Sequence, residues 1–311
     1  MDGSVGCVGD LLVEIMRQKV DEPLGEPGTF VGPFPSGASG IFIDAAARLG
    51  LPARFVGAVG KDDFGELIVR RLDRDGVDTS RIKQLEDYTT GVAFVTYFRD
   101  GSRKFIYHLA RAATGQIYPE DIDPDYFSGL DYLHIVGSTM FINEQSSKAC
   151  MKAVEVVKDS GGKISFDPNF RPELLSEKQV RELFYPILKN SDIIFPTYDE
   201  IRILSEQKDI QIACEQLFKI GPQIIAVKEG KDGSTVYTKD DKCPVPAFKV
   251  EEVDPTGAGD CYCAGFLYGI LNGMKIRETA RFANAVGALA ITKKGPMEGA
   301  PRLEEVNKLL V

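Results

Sequence analysis

The stretch "EEVDPTGAGDCYCAGFLYGIL", from Glu251 to Leu271, places a turn of small residues directly before a long apolar run. Gly257, Ala258 and Gly259 are followed by one carboxylate, Asp260, and then by residues typical of a buried helix. The first amide groups of a helix lack internal partners and carry the positive end of the helix dipole. Glycines let those amides approach an anion without intervening side chains. The turn therefore predicts an anion-binding helix start that suits phosphate.

Asp260 needs an explanation of its own, because a carboxylate in an anion-binding turn repels the anion. One role that would justify it is to accept a proton from a hydroxyl group that attacks a phosphoryl group. The alternative is a plain small-residue turn in which Asp260 caps the helix, since short glycine motifs are weak signals. Taken alone, Gly-Ala-Gly-Asp favours the plain turn, so the rest of the chain has to decide.

Short apolar runs alternate with amphipathic segments along most of the chain. We predict strands within 5–15, 53–60, 132–138, 163–169, 192–197 and 223–230. Helices are expected at 38–50, 63–76, 144–159, 176–189, 197–219, 258–272 and 275–292. Buried runs separated by helices indicate a parallel sheet that is covered on both faces. The predicted fold is therefore α/β, with a doubly wound, mostly parallel sheet.

One region departs from this alternation. The segment "TGVAFVTYFRDGSRKFIYHLA" (90–110) contains two alternating strands around an Asp100-Gly101 turn, which is typical of a β-hairpin. Together with a Pro- and Gly-rich segment it would form a small β lid, made from about 14–35 and 88–112. No repeat or linker divides the chain, so we predict a single domain over 1–311 with the lid inserted in it.

Composition excludes several classes of protein. The chain has 311 residues and a formal net charge of −9, whereas a nucleic-acid binder needs a basic face. No apolar stretch approaches the roughly 20 residues of a membrane span, and the N-terminal region lacks the cations of a signal peptide. Six cysteines show no disulfide framework, and two histidines show no metal-ligand spacing. These features predict a cytoplasmic protein without a membrane or nucleic-acid partner.

The wider motif around Asp260 identifies a family. Asp254-Pro-Thr-Gly-Ala-Gly-Asp260, followed by "AGFLYG", resembles the C-terminal motif of the ribokinase-like (PfkB) carbohydrate kinases. Other blocks resemble that family in the expected order, at 53–79, 166–171, 227–237 and 281–295. The sequence is most similar to kinases of tagatose, fructose and 2-keto-3-deoxygluconate. The resemblance implies a doubly wound domain with a β lid that transfers the γ-phosphoryl group of ATP to a sugar hydroxyl.

The resemblance also assigns roles at the phosphate end of the site. Asp260 would be the general base, and the backbone of 257–260 would stabilise the transferring phosphoryl group. The residues implied to bind ATP are Lys228, Gly230, Gly233, Gly257, Gly259 and Asn284. For Asn284 the alternative is a polar residue in the helix interior that faces solvent.

On the sugar side, the resemblance implies contacts from Asp10, Gly37, Ala38, Tyr107, Arg111 and Arg171, together with Asp260. Asp10 could instead be a solvated turn aspartate, and Arg171 a surface arginine after a capped turn. In relatives that phosphorylate 2-keto-3-deoxygluconate, the arginine that corresponds to Arg171 helps to hold the carboxylate of the substrate. Ser36 and Ile41 depart from the family's Gly-Gly…Asn segment, which leaves the identity of the sugar open.

Two metal sites are implied by the resemblance. Glu200 would order Mg²⁺ through water, although Thr197 replaces the family's Asn and the pair equally suits a helix capping box. Asp254 and Thr256 match a loop that holds K⁺ in many relatives. Two lids pack together in many members of the family, so a homodimer through the lid is expected.

Rival interpretations lack their motifs. A P-loop kinase needs G-x-x-x-x-G-K-[ST], and each Gly-Lys pair here is followed by Asp or Ile. A dinucleotide oxidoreductase needs G-x-G-x-x-G after the first strand, where this chain has "GCVGDLLVE". A non-enzymatic sugar-binding protein would be expected to lose Asp260 or the glycines before it. We therefore predict an ATP- and Mg²⁺-dependent kinase of a ketose or keto-sugar acid, with a ribokinase or nucleoside kinase as the alternative.

Overall fold

The computed structural model describes residues 3–170 and 175–311. Its strands are β1 (Val5–Val8), β2 (Leu12–Arg17), β3 (Phe30–Ser36), β4 (Ala53–Gly60), β5 (Val77–Leu85), β6 (Gly91–Tyr97), β7 (Arg103–His108), β8 (Tyr132–Val136), β9 (Lys163–Asp167), β10 (Ile193–Ile194), β11 (Ile224–Lys228), β12 (Ser234–Thr238) and β13 (Lys242–Val245). Its α-helices are α1 (Ala38–Arg48), α2 (Asp63–Asp75), α3 (Pro124–Phe127), α4 (Gly137–Ile142), α5 (Glu144–Asp159), α6 (Glu177–Asn190), α7 (Tyr198–Ser205), α8 (Ile210–Ile220), α9 (Ala258–Leu271), α10 (Ile276–Ala290) and α11 (Leu303–Leu310).

The main sheet is mostly parallel, as predicted. In the described residues it has nine strands in the order β13-β12-β11-β10-β9-β8-β1-β4-β5. The strands from β11 to β5 pair in parallel, whereas β12 and β13 pair antiparallel at one edge. Parallel strands need crossover connections, and the helices that supply them cover both faces of the sheet.

Two apolar cores lie on opposite faces of this sheet. One contains side chains of α1, α2, α9, α10 and α11, such as Phe42 and Phe266. The other contains side chains of α3, α5, α6 and α8, such as Phe127 and Phe184. Within the parts of the chain that the structure describes, no helix combines the length and apolar character needed to span a bilayer.

The structure divides two segments that we expected to be continuous. The run 5–15 forms β1 and the start of β2, which belong to different sheets. The chain leaves β1 at Gly9, which packs closely on α1, since a Cβ atom there would lie 2.0 Å from Ser39 Oγ. The helix expected over 197–219 is α7 followed by α8. Asp209 starts α8 by accepting hydrogen bonds from the amides of Gln211 and Ile212, at 2.8 and 3.0 Å.

A second sheet, which we call the lid sheet, consists of β2, β3, β6 and β7 in the order β3-β2-β6-β7. β2 pairs in parallel with β6, and β7 returns antiparallel after the Asp100-Gly101 turn. Register places Glu14, Ala93 and Tyr107 side by side on three neighbouring strands. Because side chains alternate along a strand, this row defines the inner face of the lid sheet.

Candidate active site

A cavity of about 1010 Å³ lies between the inner face of the lid sheet and the carboxyl ends of the main strands. Asp10 follows β1, Asn169 follows β9, Lys228 ends β11, and all three residues line this cavity. Ligands of open α/β sheets bind at this edge. The cavity also reaches Gly257, at the start of α9, so the two ends of the predicted site belong to one space.

The start of α9 has the form predicted for an anion site. Gly257 occupies the N-cap position with a left-handed φ of 82°, and a Cβ atom there would lie 2.5 Å from the carbonyl oxygen of Pro296. The amide of Cys261 donates to the carbonyl of Gly257 at 2.9 Å. The amides of Ala258, Gly259 and Asp260 therefore precede this first helical hydrogen bond. Ala258 is not among the described lining residues, so its side chain makes no contribution there.

Asp260 lies in the first turn of α9 and lines the cavity with a side chain that is mostly buried. Gly257, and not Asp260, is the N-cap residue of the helix. The side-chain amide of Asn169 lies 3.5 Å from Asp260 Oδ1. The Asp260 carboxyl group therefore lines the same cavity as Asp10 and the turn that starts α9.

Asp10 is a buried residue and not a solvated turn aspartate. Its Oδ2 accepts from the Ala38 amide at 3.1 Å, and its Oδ1 accepts from the hydroxyls of Ser39 and Thr139 at 2.8 and 3.1 Å. These bonds tie β1 to the start of α1. Gly37 packs directly on the backbone of Asp10, since a Cβ atom there would lie 2.3 Å from its carbonyl oxygen.

The floor of the cavity beside Asp10 is largely apolar. Gly37, Ala38 and Ile41 all line it, so Ile41 stands in the site where the family pattern has an Asn. Ser36 also lines the cavity, and its hydroxyl donates to Glu14 Oε2 at 3.1 Å. The two departures from the family pattern therefore both lie in the site and change its polarity.

The lid sheet contributes Tyr107 and Arg103 to the cavity, whereas a role for Arg111 stays a prediction. Arg111 is exposed and is not among the described residues that line the cavity. β7 ends at His108, so Arg111 lies beyond the strand and outside its alternation. Arg103 and Tyr107 lie four residues apart on one face of β7, and that period-2 pattern could have identified Arg103 from the sequence. Arg171, expected to meet a substrate carboxylate, lies outside the described residues.

Lys228 adjoins both the turn and the sheet. Its ammonium group lies 2.5 Å from Asp167 Oδ2, and a Cβ atom at Gly259 would lie 3.4 Å from Lys228 Nζ. Burial acts to lower the pKa of Lys228, but the Asp167 and Glu200 carboxylates outweigh burial and raise that pKa above its ordinary value. A fixed positive charge therefore lies beside the first turn of α9.

The other residues expected to contact ATP divide into two groups. Gly230 lines the cavity, whereas Gly233 and Asn284 are not among its described lining residues. Asn284 is buried and does not face solvent. Its side-chain amide donates to the carbonyls of Val245 and Pro246 at 3.0 and 3.2 Å, because α10 packs against the end of β13. These bonds give Asn284 a structural task at the edge strand.

Glu200 forms the capping box that the sequence offered as an alternative. Its Oε2 accepts from the Thr197 amide and its Oε1 from the Phe170 amide, both at 2.7 Å. The Thr197 hydroxyl in turn caps the Glu200 amide. Glu200 also lines the cavity, and burial raises the pKa of its carboxyl. Its oxygens are therefore engaged by backbone amides beside the site.

Asp254, which lies just before the turn, forms hydrogen bonds with its own loop, with the lid sheet and with the loop that follows α10. Its Oδ1 accepts from the Thr256 amide and from the Tyr97 hydroxyl, each at 3.0 Å, and its Oδ2 accepts from the Gly295 amide at 2.9 Å. Thr256 lines the cavity. Across the described residues, no group of three or more His, Cys, Asp or Glu side chains is arranged to hold a metal ion. Tyr97 was missed from the sequence, because 157 residues separate it from Asp254.

Comparison with known proteins decides the family. Residues 7–303 match the model of the pfkB family of carbohydrate kinases. The chain belongs to this family. Probable fructokinase-3 of Arabidopsis thaliana is 32% identical over 308 residues, which cover 96% of this chain and 89% of the relative.

Solved structures of PfkB-family kinases match over almost the whole chain. An E. coli protein described as a ribokinase II, solved with ATP and Mg²⁺, has 39% identity and a TM-score of 0.94, covering 99% of each chain. Fructokinase of Vibrio cholerae O395, solved with fructose, ADP and calcium, has 25% identity and a TM-score of 0.86, covering 100% of this chain and 99% of that one. The predicted fold and the assignment as an ATP-dependent sugar kinase are confirmed.

Proposed function

We propose that residues 1–311 form one kinase domain, with the lid segments inserted, that phosphorylates a neutral ketose at its terminal primary hydroxyl. The observation that carries this proposal is the position of Asp260. It lies in the first turn of α9, directly after the amides that start the helix, and lines the same cavity as Asp10. One carboxylate can therefore reach an alcohol while the adjacent turn holds a phosphoryl group.

The reaction follows from this arrangement. The sugar hydroxyl oxygen attacks the γ-phosphorus of ATP, its proton passes to Asp260, and the bond to the β,γ-bridging oxygen breaks to release ADP. Amides of the 257–260 turn point their dipoles at the phosphoryl oxygens, and Lys228 adds a positive charge beside them. Preorganised donors of this kind act where charge is redistributed, and they need no rearrangement during the reaction.

Mg²⁺ fits this site as a companion of the triphosphate rather than as a protein-bound ion. Asp167 is paired with Lys228, and both oxygens of Glu200 accept backbone amides. Magnesium commonly retains waters and binds one or two carboxylates together with substrate phosphates. When bound, it would neutralise phosphate charge, and Glu200 and Asp167, which line the same cavity, would orient its waters. Asp254 and Thr256 remain our proposed residues for a K⁺ ion.

The charges near the sugar end favour a neutral substrate over a sugar acid. Among the described residues at this end, Asp10, Glu14 and Asp260 are acids, and Arg103 on the lid sheet is the base. Carboxylates accept hydrogen bonds from sugar hydroxyls but repel a substrate carboxylate. The fructokinase relatives, and the bound fructose of the Vibrio cholerae enzyme, support a ketohexose.

A sugar panel tests this choice. We expect fructose or tagatose to give a kcat/KM about tenfold above that of 2-keto-3-deoxygluconate, since one repelled charge costs about 1.4 kcal/mol. ADP release is measured with saturating ATP and Mg²⁺, with ribose and adenosine included. Preference for 2-keto-3-deoxygluconate would make the sugar acid the substrate, whereas turnover with adenosine alone would make the protein a nucleoside kinase.

We also propose a homodimer formed by two lid sheets. Ile15, Phe94 and Ile106 lie in register on the face opposite Tyr107, and Ile106 is 43% exposed. In the described chain β3 and β7 form the edges of this sheet, and sheet edges are commonly protected by pairing or cover. Packing two outer faces together would remove this apolar surface from water.

Sedimentation at micromolar concentration should give the mass of two chains. Ile106→Glu should shift the protein to monomer, because the dimer would bury an unpaired charge. The matched change His108→Glu adds the same charge on the same face but nearer the end of β7. Comparing the two variants separates the effect of the added charge from the effect of its position. A wild-type monomer would contradict this proposal.

A further inference from the structure

We propose that Tyr97 is a positioning residue that fixes the anion-binding turn from the lid sheet. This inference rests on the proposed function, because it concerns the same turn. Tyr97 is the last residue of β6, and its hydroxyl lies 3.0 Å from Asp254 Oδ1 and 2.6 Å from Thr256 Oγ1. A single phenol thereby contacts the side chains of Asp254 and Thr256, which lie three residues and one residue before Gly257.

The hydrogen-bond directions around this phenol are consistent. Asp254 accepts from Tyr97, so the Thr256 hydroxyl donates to the Tyr97 oxygen, and the Thr256 amide also donates to Asp254. A tyrosine phenol ordinarily has a pKa of about 10, so the Tyr97 hydroxyl carries a proton at neutral pH. Hydrogen bonds to an ionised acceptor are among the stronger ones in proteins.

A second contact of the lid sheet reaches the other side of Asp254. Phe34, on β3, packs on Gly295, where a Cβ atom would lie 2.8 Å from the Phe34 ring. The Gly295 amide donates to Asp254 Oδ2, and the next residue, Pro296, packs against Gly257. Among the described residues of the lid sheet, Tyr97 and Phe34 thus contact the segments that pack against the turn, and Tyr97 contributes a hydrogen bond.

The same sheet lines the sugar end of the cavity. Tyr97 pairs with Arg103 across β6 and β7, and Arg103 and Tyr107 both line the cavity. A sheet is a stiff element, so the position of the lid strands over the sugar and the position of the turn are linked through Tyr97. The inference is that Tyr97 supports phosphoryl transfer without contacting sugar or ATP itself.

Tyr97→Phe removes the hydroxyl and keeps the ring. We expect kcat to fall about tenfold or more, from the loss of a hydrogen bond to a charged group, with KM for the sugar changed less than about threefold. Tyr88→Phe, which removes an exposed hydroxyl near the start of the same lid segment, should leave both constants unchanged. A Tyr97→Phe protein with kcat within twofold of wild type would overturn the proposal.

Two further measurements separate positioning from general damage. Thr256→Val and the double variant with Tyr97→Phe should show non-additive losses in kcat, because both act through one cluster. Additive losses would contradict that coupling. Hydrogen exchange of the 254–262 amides should be faster in Tyr97→Phe than in wild type, in protein without substrate. Unchanged exchange would overturn the proposed role of Tyr97. Absence of turnover with every sugar would contradict the proposed function alone, because the exchange measurement needs no substrate.

Discussion

Replacing Asp260 with Asn should lower kcat about a thousandfold while the protein stays folded. The amide has nearly the same shape as the carboxylate but cannot accept the proton of the attacking alcohol. The amides that start α9 remain in place, so ATP should still bind. The measurement is single-turnover ADP formation with saturating sugar, together with the dissociation constant for ATP.

The matched control is Asp63→Asn, which makes the same change in the first turn of α2, at an exposed position away from the cavity. It should retain wild-type kcat. If Asp260→Asn retained most of its activity, Asp260 would not be the base, and the proposed reaction would be wrong. Loss of ATP binding in the same variant would instead show that the substitution disturbs the turn.

Replacing Gly257 with Ala should lower kcat about a hundredfold, the scale of losing one well-placed donor to a developing charge. Gly257 has a φ of 82°, and its added Cβ atom would lie 2.5 Å from the carbonyl oxygen of Pro296. That oxygen belongs to backbone, so the turn itself has to shift. The amides that follow would then point away from the phosphoryl group. Steady-state kinetics with ATP varied would measure the effect.

Gly273→Ala is the control for backbone strain in this experiment. Gly273 follows the other end of α9 with a φ of 70°, but a Cβ atom there would have no neighbour within 4 Å. The substitution should cost about 1 kcal/mol of folding free energy, from the left-handed conformation, and leave kcat unchanged. Equal kinetic losses in the two variants would mean that the effect of Gly257 is general destabilisation.

Local patterns were sufficient to predict most of the fold. Helices α5, α9 and α10 lie within two residues of their predicted bounds, since their apolar spacing and flanking residues mark them. The break between β1 and β2 falls at Gly9-Asp10, where Gly9 packs closely on Ser39 of α1, a contact that no local pattern indicates. Asp209 marks the split between α7 and α8 in the sequence, because aspartate commonly caps helix N-termini. We placed it within one long helix.

The candidate site shows a similar division. The turn at 257–260 directly precedes the apolar run of α9, so the sequence already implied its position at a helix start, and Asp10 follows the buried run of β1. Lys228 reaches the turn because its side chain extends from the end of β11 to Gly259, and Tyr97 reaches Asp254 because the lid sheet contacts the loop before α9. Contacts of this type depend on tertiary packing between segments that are far apart in the chain. No local pattern indicates them.

The pairing of β2 with β6 restricts how the lid could be transplanted between enzymes. These strands are neighbours in the lid sheet, although α1, β4, α2 and β5 of the main body lie between them in the chain. Exchange of either lid segment alone would leave its strand facing a foreign partner. A chimera that borrows specificity from another kinase must therefore replace both segments together, so variation in this region is expected to be coordinated rather than modular.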